Sequence, residues 1–272
     1  MIFSSTLKHL KRLEIGIQKR KRLIINFSAV IKFKKRISMK SITPKQPAHL
    51  SMYAKVCLEA LVDAGLAKLI SLGGAFGLFH YHDYRPTHDV DAWWNEDVTE
   101  AKKQEVVQVL HSTLERFGSV RVRAWGDLTS IELSQDGKTV FSFQIAFRSL
   151  RLEDLNAAGW IDVPLDSFED LVSTKMNALV QRGAPRDFKD IYTICVADLI
   201  TIEECWQLWH KRQELLGNEH DDPKARLAIE SHLKRIALQR PLDQFKDDEE
   251  RAYAKNVREW FVNSFLKVNN GK

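Results

Sequence analysis

The stretch Ser71-Leu-Gly-Gly-Ala-Phe-Gly-Leu-Phe-His-Tyr-His-Asp-Tyr-Arg-Pro-Thr-His-Asp-Val-Asp91 carries the reading of this chain. An apolar run (Leu69, Ile70, Leu72) stops at Gly73-Gly74, and a second one opens on Asp89-Val90-Asp91. Residues at i and i+2 of a strand point to the same side of a sheet, so Asp89 and Asp91 present their carboxylates together. Two hard oxygen ligands so placed can hold a divalent cation whose other positions are filled by phosphate oxygens. The paired glycines let a phosphate come close to backbone N–H groups, since no Cβ stands in the way. The combination describes a site for a metal-bound triphosphate.

Outward from this stretch, apolar residues at helical spacing (Leu50, Tyr53, Ala54, Cys57, Leu58, Leu61, Val62) predict a helix between Pro47 and Gly65. A short strand over Ala67 to Leu72, a brief helix over Ala75 to Tyr81 and a strand over Val90 to Trp94 follow. Thr99 to Phe117 reads as a charged amphipathic helix stopped by Gly118. Ser119 to Trp125, Ser130 to Ser134 and Thr139 to Phe147 alternate like strands, the last two joined by the hairpin signal Asp136-Gly137. Beyond residue 150 the pattern turns helical. Ser167 with Asp170 forms a capping box for a helix to about Arg182, a second helix spans Asp187 to Leu199, and Thr201 with Glu204 caps a third to Leu216. A polar linker, Gly217 to Pro223, precedes further helical sequence. The expected fold class is α+β, a short mixed sheet with flanking helices followed by an all-helical C-terminal half. The expected division is a leader over 1–46, an α/β domain over 47–150 and a helical domain over 151–272.

Composition narrows the classes. The chain has 272 residues and the apolar and charged fractions of a soluble globular protein. No apolar run is long enough to cross a bilayer, so no membrane partner is expected. Cys57, Cys195 and Cys205 lie far apart in helix-like segments, which reads as reduced cytoplasmic thiols rather than a disulfide frame or zinc site. The formal charge of +5 comes from one end: residues 1–38 hold eleven Lys/Arg and a single acid, Glu14, leaving 30 basic against 35 acidic residues beyond them. Three origins fit that leader: a nucleic-acid-binding arm, a targeting presequence, or upstream sequence ahead of a start at Met39. The last is favoured.

A strand, Gly-Gly, a short helix and a strand bearing Asp-x-Asp resemble the core of the nucleotidyltransferase superfamily related to DNA polymerase β. Within it the chain is similar to the AbiEii toxin family of type IV toxin–antitoxin and abortive-infection systems. One matching block is Gly73-Gly74 with Arg85-Pro-Thr87-His-Asp89-Val-Asp91. The other is Lys175-Met-Asn-Ala-Leu-Val-Gln-Arg182-Gly-Ala-Pro-Arg-Asp187-Phe-Lys-Asp190-Ile. The resemblance covers roughly residues 50 to 200. It implies that Asp89 and Asp91 bind Mg²⁺ (or Mn²⁺) and that Lys175 meets a triphosphate oxygen. It also implies that Asp190 or Asp187 adds a carboxylate, and that Arg85, Thr87 and Arg182 help hold the nucleotide. Spacing agrees in part: Lys175 and Arg182 fall on one helix face, as do Asp187 and Asp190.

Two departures stand out. Many relatives in the superfamily place a third carboxylate on a strand after the hairpin, where Gln144 occupies the inward position; Glu132 is a possible substitute. The Ser/Thr that often follows the glycines is replaced by Ala75 and Phe76. His80, His82 and His88 with Asp83 and Asp89 lack the remaining ligands of a zinc hydrolase pattern, so zinc is disfavoured. Trp93 shares the acidic face and is a candidate for base stacking, although core packing is the commoner role of such a ring.

The expected function is metal-dependent transfer of NMP from an NTP to a hydroxyl of RNA, tRNA foremost, or of a protein. By resemblance the protein is a toxin restrained by an antitoxin from a neighbouring gene. Two alternatives stay open: a small-molecule nucleotidyltransferase of the antibiotic-modifying kind, and a nucleotide-binding regulator of weak activity.

Overall fold

The computed structural model describes residues 42–267, so most of the basic leader, and the three readings of it, lie outside the described residues. Helix α1 (Met52–Asp63) starts where the Ser51 hydroxyl accepts from the Tyr53 amide, and it buries Ala54, Cys57, Leu58 and Leu61 along one stripe. Gly65, at φ +68°, turns the chain into a 3₁₀ turn, Ala67–Leu69, and then strand β1, Ile70–Gly73. The segment expected as strand from Ala67 therefore becomes extended three residues later, because the chain is still reversing out of α1.

Helix α2 (Gly74–Phe79) leads to β2 (Asp89–Trp94), and α3 (Glu100–Glu115), capped by Thr99, leads to three antiparallel strands. These are β3 (Ser119–Trp125), β4 (Leu128–Gln135) and β5 (Lys138–Phe147). The β4–β5 turn is Asp136-Gly137 with both residues at positive φ, as the hairpin signal required. Two two-residue strands, β6 (Asn156–Ala157) and β7 (Pro164–Leu165), complete a sheet of order β3-β4-β5-β2-β1-β7-β6. It is mixed: β2 runs antiparallel to β1 and parallel to β5, and β7 runs parallel to β1. The fold class expected from sequence holds, with the addition that β6 and β7 come from beyond residue 150.

The helical part comprises α4 (Phe168–Gln181), α5 (Pro185–Val196), α6 (Ile202–Leu216), α7 (Asp222–Gln239) and α8 (Asp248–Trp260), the last running into a π turn, Phe261–Phe265. Thr201 and Glu204 form a full capping box on α6. At α4 the box is half made. Ser167 Oγ accepts from the Asp170 amide, but the Asp170 carboxylate takes the Leu152 and Glu153 amides and so ties down the incoming loop. Buried residues of sheet and helices form one continuous cluster, including Leu72, Val90, Phe143, Met176, Phe188 and Phe261. Among the described residues no helix is long and apolar enough to cross a membrane. The three cysteines are free, yet the fold brings Cys195 and Cys205 to 3.7 Å between sulfurs, an approach their spacing did not announce.

At the end of α2, His80 is buried, bonded through Nδ1 to the Phe76 carbonyl at 3.0 Å, and stacked on Trp160. Burial lowers its pKa from 6.5 to about 4, against smaller upward pulls from backbone carbonyls and Asp83. Below about pH 6.5 the unfolded chain binds a proton that the folded one refuses. Stability present above that range is therefore lost as the pH falls toward 4, by up to about 3 kcal/mol. Urea midpoints for wild type and His80→Gln at about pH 7.5 and about pH 4.5 read this linkage. The variant should lose less on acidification; equal losses would exclude the role given to His80.

Candidate active site

The β1–α2 turn and β2 form one unit. Asp91 lies opposite Gly73 in the β1–β2 register, and the Ala75 amide donates to Asp91 Oδ2 at 3.1 Å. Gly74 adopts φ +56°, and a Cβ there would sit 2.1 Å from Asp91 Oδ2. A Cβ on Gly73 would sit 2.0 Å from Trp93 Nε1. The paired glycines thus seat the Asp91 carboxylate and the Trp93 ring, a requirement beyond the phosphate approach expected from sequence.

Asp89, Asp91 and Trp93 share the front of β2, while Val90, Ala92 and Trp94 face the core. Burial pushes the Asp91 carboxyl above the usual carboxylate range and the nearby Asp89 charge adds to this; Lys175, the Ala75 amide and Arg186 pull it back. Asp89 is the more open of the pair, at 41 % side-chain exposure. It accepts from Ser142 Oγ at 2.8 Å and has Arg186 3.9 Å away.

Helices α4 and α5 supply the opposite wall. Lys175, buried on α4, forms an ion pair with the fully buried Asp190 of α5 at 2.6 Å. Arg85 reaches the same carboxylate at 3.3 Å, and the Tyr84 hydroxyl donates to it. Burial, followed by the Asp190 charge, pushes the Tyr84 phenol far above its ordinary range, so it stays a donor. Arg85 also lies 5.1 Å from the Phe79 ring centre. Asp190 therefore holds Lys175, Arg85 and Tyr84 in place. Lys175 is also near enough to Asp91 to be the strongest downward influence on its pKa.

The other sequence candidates fall in two groups. Asp187 is fixed by Arg182 through Nε and Nη2 at 2.9 and 3.0 Å and accepts from the Ala184 amide, clasping the start of α5. Arg182 is itself exposed and its pKa is raised, first by that bond. Thr87 bonds the Asp89 backbone through its hydroxyl and so shapes the entry to β2. Gln144 does face front, opposite Asp91, with its amide on Ser142 Oγ; Glu132, one strand further, pairs with Arg123 at 3.3 Å. Among the described residues no third carboxylate takes the place opposite Asp91 on β5. Trp93, a candidate for stacking, has its indole N–H on Asp166 at 3.0 Å and the Arg148 guanidinium 5.6 Å from its ring. His82 stacks on Tyr84, and no group of three or more His, Cys, Asp or Glu that could hold a metal occurs among the described residues. Ser142 and Arg186 were not singled out from sequence. Ser142 alone had a signal, being two residues from Gln144 on the same alternating face.

A strand, a glycine turn, a short helix and a strand bearing two front-facing carboxylates, with a buried lysine from the helical part, form the arrangement expected of a nucleotidyltransferase from the sequence resemblance. The family described as "Nucleotidyl transferase AbiEii toxin, Type IV TA system" matches residues 56–261, and the chain belongs to it. The match runs through α8, well past the region near residue 200 where the sequence resemblance stopped. No curated protein matches. Among solved structures, an antigenic nucleotidyltransferase-like protein from Paracoccidioides brasiliensis is 14% identical, over 79% of this chain and 95% of that one, with a TM-score of 0.34.

Because Gly74 holds a left-handed conformation against a carboxylate, Gly74→Ala should cost roughly 1–3 kcal/mol and displace Asp91. Thermal melts check the first part. A melting point matching wild type would show that the turn has room, and would remove the seating role given to Gly74.

Proposed function

We propose that the protein transfers an NMP group from an NTP to an acceptor hydroxyl, with RNA or protein as acceptor. The observation that carries this is the half-buried, front-facing Asp91 beside Asp89, with Lys175 held nearby by Asp190. The donor set suits a hard divalent cation: two adjacent carboxylates whose mutual repulsion is offset by Lys175 and Arg186 and by the Ala75 amide. Asp89 and Asp91 would hold it. Such an ion, Mg²⁺ or Mn²⁺, supplies charge neutralisation at the triphosphate and lowers the pKa of the acceptor hydroxyl.

The chain's own groups do the positioning. Lys175, anchored by Asp190, offers its ammonium to triphosphate oxygens, and the more exposed Arg186 and Arg182 add positive charge at the mouth. The acceptor oxygen bonds to the α-phosphorus, the bond to the β-phosphate's bridging oxygen breaks, and pyrophosphate leaves. Asp190 is already engaged by Lys175, Arg85 and Tyr84, which leaves the hydroxyl proton to pass to solvent. Family membership supports a toxin role and an antitoxin partner. The missing third carboxylate at Gln144 is the observation that favours the second reading, a nucleotide-binding regulator of weak activity.

Purified protein given α-³²P-labelled NTP should label a macromolecular acceptor only with Mg²⁺ or Mn²⁺. Asp89→Ala and Asp91→Ala should each abolish labelling, and Lys175→Ala should reduce kcat/KM by about 10²-fold or more, as for removal of a positioned charge. Full transfer by both aspartate variants rejects these roles, and tight NTP binding without transfer to any acceptor selects the regulator.

A further inference from the structure

Strand β3 is an edge of the sheet, and all of it except Val120 is exposed. Arg121, Arg123 and Trp125 alternate along it and so share one side. The strand registers carry that side unbroken to the acidic pair. Arg121 lies opposite Glu132, Glu132 opposite Ser142, and Ser142 opposite Asp89. Arg123 leads likewise through Ser130 and Gln144 to Asp91, and Trp125 through Leu128 and Ala146 to Trp93. Side chains mark the same face: Arg123 pairs with Glu132 and Gln144 bonds Ser142 between the two rows, and Ser142 bonds Asp89 within one. Three strand steps place the arginines about 14 Å from the carboxylates.

The other direction along this face is closed. Arg148 forks onto Asp166, reaching it through Nη1 at 3.1 Å, and donates to Ser71 Oγ at 2.8 Å; Trp93 donates to the same Asp166. An acceptor lying on the front of the sheet therefore approaches from the β3 side.

We propose that the front of β3 is the acceptor platform and that its occupant is RNA. Arg121 and Arg123 hold backbone phosphates, Trp125 stacks a base, and the strand's terminal hydroxyl reaches Asp89 and Asp91. This rests on the transfer reading above and assigns that site's acceptor class. Alternate residues of an extended strand are about 7 Å apart, of the order of the spacing between successive phosphates in an extended single strand. Two guanidiniums face one carboxylate there, so the stripe keeps positive charge beside an indole that is 51 % exposed. Phosphates and π-faces match that pairing of groups. A protein strand adding to this edge would use the backbone and would need neither arginine.

The probe is fluorescein-labelled tRNA, read by anisotropy across a salt series. Arg121→Ala/Arg123→Ala should weaken binding at least tenfold. It should also lower the slope of log K against log salt by about 1.4, roughly 0.7 for each single-strand phosphate that an arginine no longer neutralises. The Lys/Lys double variant should restore the slope. Trp125→Ala should weaken binding about tenfold and Trp125→Phe far less, since a phenyl ring still stacks. Circular dichroism melts confirm that each variant is folded. An unchanged slope in the alanine pair, or an equal drop with the lysine pair, overturns the platform, as does abolished protein labelling with RNA affinity intact. Wild type that binds NTP but no RNA overturns the platform and leaves the transfer reading standing; wild type that binds neither overturns both.

Discussion

The site depends on seating the half-buried Asp91 carboxylate where no side chain can stand. Gly74 supplies the space and the Ala75 amide a hydrogen bond, but neither supplies charge. An isolated ionised carboxylate is costly in such a place and would take up a proton instead. Lys175 is the compensating cation, and Asp190 stops that cation from leaving. The acidic strand is therefore ready for its work only when α4 and α5 are docked on the sheet. This ties an electrostatic requirement to the shared apolar core, in which Phe188 and Met176 pack with Leu72 and Val90.

The same constraint explains why the front of the sheet is polar and the back apolar. Val90, Ala92 and Trp94 must cover the core, so the alternate residues of β2 are forced forward. Their neighbours Ser142 and Gln144 on β5 and Ser130 and Glu132 on β4 follow by register. Ser142 and Glu132 bond across to the next strand and Gln144 and Ser130 along their own, and a polar face with internal partners tolerates water on one side. The carboxylate pair sits inside that polar face, where neighbours hold Asp89 without neutralising it.

Much of this was legible in the sequence because it is local. Alternation put Asp89 and Asp91 on one side, Asp136-Gly137 closed the hairpin, and Thr201 with Glu204 marked the start of α6. Pairings between distant residues were not legible. Helical spacing shows that Asp187 and Asp190 share a face, yet it cannot show that one clasps Arg182 while the other anchors Lys175. Alternation gives the phase of a strand but leaves the neighbour's register open, so Ser142 opposite Asp89 stayed hidden. The approach of Cys195 to Cys205 was concealed by a helix-to-helix turn for the same reason. Gly74 was read as room for a ligand, because sequence does not say which atom will occupy a space that glycine leaves.

Asp166 gives the face its direction. It lies just past β7, beside β1, and receives Arg148, Trp93 and, through Arg148, the Ser71 hydroxyl. Burial raises its carboxyl pKa, and the Arg148 bond and charge are the main forces returning it toward the ionised form. A buried pair of this kind resists dissociation, since parting it strands a charge in a poorly solvated place. The Nε1 edge of the Trp93 ring lies against Gly73 and is tied to Asp166, which commits the ring to this flank of the sheet. Beside the carboxylates the front continues through the half-buried Gln144 and the buried Ser142 to Glu132 and then to the exposed arginines of β3. A sheet sealed on one flank and charged on the other constrains the direction of substrate entry, and that direction follows from side-chain pairing alone.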